Sequence, residues 1–329
     1  MPKSCQFNDQ LFTSQEILPE ISELYQELTN LDKFSLLNLA FAGLGYKLTI
    51  PAGLKLDRPL EIFHYYSDLK EAQAINSNLF VNLEENSAAT IIEHFIDHNE
   101  IAESLPHRLY HYQHSNLNLA ENSSLCHCLI KALPEDLLRI KKLKLSLAKS
   151  ANYQLTTLST GGSLDRLQID GYLNGSKAKA SIKSFILGKK SHQHDIVIKM
   201  THAASLTESE QILKTALYDK ALSSFFSLVK VPPNCQKIIS KQLNKNLLLS
   251  DQAQAFSRPE LAVDADDVIC NHGAATGGLD REMLFYLRNR GLSKDQAKTV
   301  LLKAFASSLF NQLDEDLHQL FTQALKELT

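Results

Sequence analysis

The sequence predicts a mainly β protein with α-helical segments at both ends. Between residues 47 and 275, short apolar–polar alternations recur and are separated by clusters of turn-forming residues. Alternation with period two is typical of half-buried strands. Near both ends the apolar spacing changes to three and four residues, which is typical of amphipathic helices. The expected organisation is therefore an N-terminal helical segment over 1–46, a β core over 47–275 and a C-terminal helical domain over 276–329.

The composition argues against several classes of protein. The chain has 329 residues, 44% hydrophobic and 22% charged, with a net charge of −3. Such a charge gives no electrostatic case for binding nucleic acid or an anionic membrane. No apolar run is long enough to span a membrane, and the first residues lack the apolar core of a signal peptide. The five cysteines are irregularly spaced and do not resemble a disulfide framework, so we expect a reducing, cytoplasmic location.

The first segment has helical spacing. A turn at Thr13–Glu16 would precede an amphipathic stripe. The stripe consists of Ile21, Leu24, Tyr25, Leu28 and Leu31. A second apolar segment, Phe34 to Phe41, would end at Gly43-Leu44-Gly45, which is a plausible helix stop.

The middle of the chain reads as many short strands. The alternating runs are Leu79, Val81 and Leu83; Leu117 and Leu119; Leu143, Leu145 and Leu147; Tyr153, Leu155 and Thr157; and Ile196, Ile198 and Met200. A sandwich, a barrel and a wound β-helix all fit this pattern. The runs are irregular in length, so no repeat period decides among the three.

The end of the chain has strong helix signals. Asp280 can cap a helix that stops at Gly291, and Ser293 with Gln296 forms a capping box for a second helix. The stripe of a third helix consists of Leu317, Leu320, Phe321, Ala324, Leu325 and Leu328. Two uses fit these helices: packing against the strands, or forming an apolar groove for a partner.

Cys270 and His272 form the first candidate site. If they lie on a strand, positions i and i+2 project from one face and the two side chains can share a ligand. A closed structural zinc site needs four protein ligands and a catalytic one needs three, so this pair is incomplete. The residues are therefore packing residues, or a half-site completed by another subunit. A third reading is a metal-dependent enzyme that adds Asp266 and Asp267.

Two other clusters are weaker candidates. On a strand, Cys126 and Cys128 would share one face and His127 would occupy the other, which suggests a cysteine pair in a β core. His192 and His194 lie in a polar stretch that predicts a turn with solvated imidazoles. No GxxxxGK[ST] motif occurs, so no nucleotide site of that kind is expected on this chain.

The run that begins at Asp266, DDVICNHGAATGGLDREMLFYLRNRG, resembles the C-terminal signature of the SufB/SufD family of iron–sulfur cluster assembly proteins. That signature reads DDV-x-C-x-H-[GE]-A-T, followed by LFYL-x-x-RG. Upstream, NLLLS at 246–250 matches a second family segment. Gly273, the residue after the motif histidine, is typical of the SufD branch. The sequence GAAT departs from the usual GAT through Ala275, which shifts the turn after His272.

The resemblance implies a right-handed parallel β-helix core flanked by helical segments. It also implies a non-catalytic scaffold subunit that pairs with a SufB-like chain through the β-helix and with a SufC-like ATPase through the C-terminal helices. A homodimer is possible when the chain is alone. Cys270 and His272 match the family's interface pair, which would share transient iron or a nascent iron–sulfur cluster with the partner.

ATP-driven closure of the ATPase would pull on the terminal helices and expose this pair. The helix residues expected near the ATPase are Phe285, Tyr286, Leu287 and Arg290, although Phe285 and Leu287 could instead belong to the core. The alternative function is a structural β-helix platform in which Cys270 and His272 only pack.

Overall fold

The computed structural model describes residues 3–7, 10–17, 38, 41, 44–66, 73–97 and 109–328. These residues form a two-sheet β-solenoid followed by three helices. The first nine strands are β1 (Lys3–Phe7), β2 (Gln10–Ile17), β3 (Leu44–Ile50), β4 (Leu60–Tyr66), β5 (Gln73–Leu83), β6 (Ala88–Asp97), β7 (Leu109–Leu119), β8 (Ser124–Leu133) and β9 (Leu137–Leu147). The others are β10 (Asn152–Gly161), β11 (Leu164–Leu173), β12 (Lys179–Gly188), β13 (Gln193–His202), β14 (Glu208–Leu217), β15 (Leu222–Val231), β16 (Ile238–Leu248), β17 (Gln254–Val263) and β18 (Val268–Gly277).

From β3 onward the chain winds as a parallel β-helix, as the family resemblance predicts. Each coil places one strand in an odd sheet, which runs from β3 to β17, and one in an even sheet, which runs from β4 to β18. Neighbouring strands in each sheet are parallel, so equivalent residues of successive coils stack into rows along the solenoid. The alternating runs read from the sequence face inward, where Val81, Leu117, Leu145, Tyr153 and Ile198 are buried.

The start of the chain differs from the prediction. β1 and β2 are antiparallel strands, and β2 pairs with β3 to extend the odd sheet. The helical turn expected at Thr13–Glu16 is therefore wrong, because these residues lie within β2 and are register partners of β3. The stripe from Ile21 to Leu31 lies outside the described residues, as does most of the segment from Phe34 to Phe41.

Repeated corners connect the two sheets. Non-glycine residues with positive φ occupy them: Asn86, Asn122, Ser150, Lys177, Lys190, Leu206, Asp219 and Lys237. Backbone hydrogen bonds join successive corners, as from Asn86 N to Glu121 O and from Asn122 N to Lys149 O. A tighter corner needs glycine, because a Cβ at Gly161 would lie 2.1 Å from the carbonyl oxygen of Leu133.

Three C-terminal helices follow the last strand: α1 (Arg281–Asn289), α2 (Lys294–Ser307) and α3 (Glu315–Leu328). The predicted caps are confirmed, since Asp280 accepts from the first turn of α1 and Ser293 forms a capping box with Gln296. α2 and α3 bury an apolar face on the outside of the even sheet. This layer contains Cys128, Leu158, Phe185, Leu187, Ala216, Leu302, Phe310, Leu317, Phe321 and Leu325. The described helices include none that is long and apolar enough to cross a membrane.

Candidate functional site at the open end of the solenoid

The solenoid ends in two edge strands, β17 and β18. Among the described residues no further strand pairs with either of them, so each presents a row of backbone N–H and C=O groups. β17 carries Pro259, which has no N–H to donate and is typical of an edge strand. We call this exposed last coil the open end.

Cys270 and His272 both lie on β18, two residues apart, as the sequence predicts. Their register partners on β16 are Ser240 and Gln242, which are buried on the inward face. The thiol of Cys270 is half-buried and packs against the apolar interior, whereas His272 is exposed. The two side chains therefore end two inward-facing rows at the mouth of the solenoid.

A hydrogen-bonded chain approaches Cys270 from inside. His202 Nδ1 lies 2.7 Å from Thr207 Oγ1, and His202 Nε2 lies 2.9 Å from Ser209 Oγ. Ser209 Oγ lies 2.8 Å from Ser240 Oγ, the neighbour of Cys270. Burial lowers the pKa of His202 to about 4, so the imidazole is neutral at pH 7. Burial raises the pKa of the Cys270 thiol, and a hydrogen bond from the Ser240 backbone opposes the rise.

Beside its apolar core, the interior behind the open end carries a group of buried polar side chains that are uncharged. We call four residues the open-end amide cluster: Gln211, Gln242, Asn244 and Asn246. Asn246 Nδ2 donates to Asn244 Oδ1 at 2.8 Å, to Ser257 Oγ at 3.2 Å and to Thr276 Oγ1 at 3.1 Å. Thr215 donates to Asn246 Oδ1 at 2.7 Å. Two atoms of the cluster, Gln211 Nε2 and Gln242 Oε1, are buried without a partner.

A second polar region, deeper in the solenoid, was not foreseen from the sequence. We call it the inner charge cluster, and it comprises Glu93, Lys131, Arg139, Lys141 and Asp165, all at most 3% exposed. Lys141 donates to Glu93 Oε1, and His127 Nε2 lies 2.8 Å from the same oxygen. Lys131 and Arg139 donate to the two oxygens of Asp165, the latter at 2.8 Å.

The charges of the inner charge cluster stabilise one another. Burial alone would raise the pKa of Glu93, but the Lys141 ammonium and a hydrogen bond from His127 hold it well below its ordinary value. Lys131 and Arg139 likewise hold the pKa of Asp165 low against the effect of burial. Both carboxylates are therefore ionised at pH 7.

The sequence did contain a signal for the inner charge cluster. Leu143, Leu145 and Leu147 mark the inward face of β9, and the same period of two continues backward to Lys141 and Arg139. Extending this alternation to the start of the strand would have predicted that both cationic side chains point into the solenoid. The expectation that cations are exposed hid the signal, because lysine and arginine are almost never fully buried unless they are paired.

The cysteine pair of β8 lies where the sequence suggests. Cys126 and Cys128 face outward under the helical layer, whereas His127 points inward to Glu93 and to Tyr153, whose hydroxyl lies 3.0 Å from Nδ1. A hydrogen bond between the two thiols lowers the pKa of Cys126 and raises that of Cys128. The pair is part of the packing between sheet and helix.

The prediction of solvated imidazoles at His192 and His194 is wrong. His194 lies on β13 with its side chain inside the solenoid, 1% exposed, and His192 is 6% exposed. Among the residues that the structure describes, none makes a hydrogen bond to a ring nitrogen of either histidine. Burial lowers the pKa of His194 to about 4, although the neighbouring carboxylate of Asp165 opposes the change. The strand starts one residue after His192, so the turn is shorter than the polar composition suggests.

Of the four residues expected near an ATPase, Phe285, Tyr286 and Leu287 lie on α1, which buries no residue, and Arg290 caps its C-terminus. Phe285 is 66% exposed and Tyr286 is 52% exposed. The guanidinium of Arg290 lies 5.2 Å from the centre of the Tyr286 ring. Leu287 is half-buried. Phe285 is therefore not a core residue within the described part of the chain.

Asp266 and Asp267, the carboxylates considered as further metal ligands, are exposed just before β18. Within the described residues, no group of three or more His, Cys, Asp or Glu side chains is arranged to hold a metal ion. Cys270, once its thiol loses its proton, and His272 offer a thiolate and an imidazole, a donor pair that suits iron.

Comparisons with known proteins agree with the motif. Residues 65–305 match the family described as SUF system FeS cluster assembly, SufBD core domain. The chain is 30% identical over 277 residues to the iron–sulfur cluster assembly protein SufD of Escherichia coli K12. The aligned residues cover 83% of this chain and 64% of that protein. It is 27% identical over 294 residues to a SufBD family protein of Synechocystis sp., covering 88% and 64%. It is 20% identical over 284 residues to SufD of Bacillus subtilis 168, covering 85% and 63%. The chain thus spans slightly less than two thirds of the length of these relatives.

Proposed function

The chain belongs to the SufBD family of the SUF system for iron–sulfur cluster assembly, and from this premise we propose that it is a SufD-like scaffold subunit. In this role it completes a cluster-assembly site together with a SufB-like chain. The observation that carries the proposal is the position of Cys270 and His272 at the mouth of the solenoid. A second protein that covers the open end would enclose both side chains.

The chemistry of the pair suits a transient cargo. A thiolate and an imidazole bind iron, and two donors leave the remaining coordination positions to sulfide and to the partner's ligands. An incomplete shell also favours release, because transfer of a cluster requires exchangeable ligands. Iron or the nascent cluster is then a substrate shared across an interface. When the chain is alone, a second copy can cover the same end.

We place the contact with a SufC-like ATPase on α1. Its exposed Phe285 and Tyr286 offer an apolar surface, with Leu287 and Arg290 beside them. β18 ends at Gly277 and α1 begins at Arg281, so a displacement of the helix acts directly on the strand that carries the ligands. ATP would supply the energy by binding one arrangement of the partner more tightly than the other. The chain itself is then a scaffold without catalytic activity.

The ligand role is tested in the assembled complex. This chain is co-expressed with its SufB-like and SufC-like partners, and iron and sulfide are measured per complex after anaerobic reconstitution. For Cys270→Ser and His272→Ala we expect normal assembly and a fall in bound iron of roughly tenfold or more, since even supporting residues of a metal site change affinity by 10- to 100-fold. His318→Ala, a half-buried histidine on α3, serves as the control.

Normal iron and sulfide in both variants would instead support the structural platform. A metal-dependent enzyme would differ again, because the isolated chain would then bind a stoichiometric metal ion that is lost on replacing Asp266 and Asp267.

The ATPase contact is tested separately. Phe285→Asp should weaken binding of the SufC-like subunit by about tenfold or more, as expected when a charge replaces an exposed aromatic anchor. Pairing with the SufB-like chain should be unchanged. Leu206→Asp, at an exposed corner of the solenoid, is the matched control. Equal affinity of both variants, measured by calorimetry, would remove α1 from the interface.

A further inference from the structure

Gln242 is the buried neighbour of His272. The two residues are register partners on β16 and β18, and they end a row that runs inward through Gln211. Adjacent strands are separated by about 4.8 Å, so the carboxamide and the imidazole are within reach of each other. Side chains of the same two strands already form a hydrogen bond four residues further on, where Asn246 Nδ2 lies 3.1 Å from Thr276 Oγ1.

The orientation of the Gln242 amide is determined by its surroundings. The side chain is 1% exposed, and its Nε2 donates to the backbone oxygen of Glu260 at 3.2 Å. Only the NH₂ group can donate to a carbonyl, so Oε1 must be the other atom of the amide. That oxygen is buried, and none of the described residues donates a hydrogen bond to it. A buried acceptor without a donor is unfavourable, so a hydrogen bond from a nearby N–H to this oxygen would stabilise the fold.

Two side chains can supply that N–H. Gln211 Nε2, one coil deeper, also lacks a partner, and a carbonyl oxygen has room for two donors. His272, one coil outward, is exposed and can turn its ring toward the oxygen. A neutral imidazole has one donor and one acceptor nitrogen, so the nitrogen that faces Gln242 must carry the proton.

We propose that Gln242 is the positioning residue of His272: its Oε1 accepts the imidazole N–H, which fixes the tautomer and directs the other ring nitrogen to the open end. The hydrogen bond is a property of the chain alone. Its consequence for iron rests on the proposed function, because a metal-binding histidine needs a free nitrogen lone pair held in a defined direction. Gln242 touches the ligand but not the cargo.

The tautomer is measured directly by NMR. Ring nitrogen shifts of His272 are recorded at pH 8.5 in the full chain labelled with ¹⁵N-histidine, and the signal is assigned by its loss in His272→Gln. Wild type should show one dominant tautomer. Gln242→Met should lower the tautomer ratio by roughly fivefold or more, the equilibrium factor of one ordinary hydrogen bond. Gln242→Glu keeps an acceptor and should retain the preference.

The matched control is Gln211→Met, which removes the same amide one coil deeper and should leave the tautomer ratio unchanged. A purely structural role of Gln242 would make the two methionine variants alike. Equal ratios in wild type and Gln242→Met, or equal changes in both variants, overturn the proposal.

If Gln242→Met does not fold, hydrogen exchange measured on the wild-type chain still tests the proposal. The bonded ring N–H of His272 should exchange with solvent more slowly than that of the half-buried His318, and faster exchange at His272 overturns the proposal.

Iron loading separates this inference from the proposed function. A shifted tautomer in Gln242→Met together with normal iron in the assembled complex of His272→Ala supports the hydrogen bond and refutes the ligand role of His272. An unchanged tautomer together with iron loss in His272→Ala supports the ligand role and refutes the role of Gln242.

Discussion

The inner charge cluster and the open-end amide cluster line the same solenoid interior but differ in how their polar atoms are satisfied. In the inner charge cluster, both carboxylates contact cations, and among the described residues only Arg139 Nε of this group lacks a partner. In the open-end amide cluster the groups are neutral, and two of their atoms, Gln211 Nε2 and Gln242 Oε1, lack a partner among the described residues. An unpaired amide costs about 1–3 kcal/mol, whereas an unpaired buried ion costs several. Unpaired polar atoms are therefore less costly in the neutral region at the edge of the fold than unpaired charges would be in the inner charge cluster.

The largest effect should follow from breaking the inner charge cluster. Glu93→Gln leaves the ammonium of Lys141, which is 0% exposed, without a carboxylate. We expect the free energy of unfolding to fall by roughly 3–5 kcal/mol, the usual cost of removing one partner of a buried pair. Urea unfolding at pH 7 measures it. Glu61→Gln, which removes the exposed partner of His94, is the control and should change little. A loss no larger than in the control would show that the cluster is not a tightly coupled unit.

Acid should destabilise both regions through their neutral imidazoles. The pKa of His194, beside the inner charge cluster, and that of His202, near the open end, are both lowered to about 4 from 6.5. Between pH 6.5 and pH 4 these histidines bind protons in the unfolded chain but stay neutral in the folded chain. The free energy of unfolding therefore falls as the pH falls from 6.5 to 4. Each group contributes roughly 3 kcal/mol to this decline.

The readout for the imidazoles is the pH slope of the unfolding free energy. His194→Gln and His202→Gln should each flatten the slope between pH 6.5 and 4, whatever their effect at pH 7. A slope that stays as steep as in wild type would mean that the replaced histidine is protonated in the folded chain.

A smaller loss should follow from removing a neutral amide. Asn246 bonds to Thr215, Asn244, Ser257 and Thr276, so Asn246→Ala leaves several polar groups without a partner. We expect a loss of about 1–3 kcal/mol, below that of Glu93→Gln because no charge is stranded. A loss equal to that of Glu93→Gln would remove the distinction between charged and neutral regions.

The smallest effect on stability should come from the candidate ligand. His272 is exposed, so His272→Ala should cost the isolated chain little more than its one hydrogen bond to Gln242, a fall of about 1 kcal/mol in the free energy of unfolding. Gly273→Ala is a useful neighbour for comparison, since its Cβ would meet Leu243 Cδ1 at an ordinary 3.6 Å. Strong destabilisation by His272→Ala alone would mean that the imidazole is a structural part of the monomer.

Residue periodicity predicted the strands of the middle and the helices of the end, but not how the coils stack. Apolar alternation tells which face of a strand is buried, whereas parallel winding depends on contacts between residues of different coils, such as Leu138 and Leu164. The β-helix was therefore identified through the family motif. Periodicity also misleads in β16, where Ser240 and Asn244 face inward while Ile239 is 47% exposed.

The candidate site was predictable in part. The spacing of Cys270 and His272 on one strand gave their common face, which the structure retains. The sequence could not show that Gln242 lies beside His272, because that neighbour comes from the preceding coil. Of the helical segment expected over 1–46, the part at β2 is wrong, because those residues pair with β3; the predicted helical stripe from Ile21 to Leu31 lies outside the described residues.

The packing of the C-terminal helices has a consequence for how the molecule holds together. A solenoid in which each coil touches only its neighbours can fray from its ends one coil at a time. Here the last helices fold back over the even sheet and share a core with Ile92 of β6, Leu158 of β10 and Ala216 of β14. The helices therefore connect coils that are far apart in the sequence, and these coils should unfold together. A force applied to the helices would likewise be distributed over most of the even sheet.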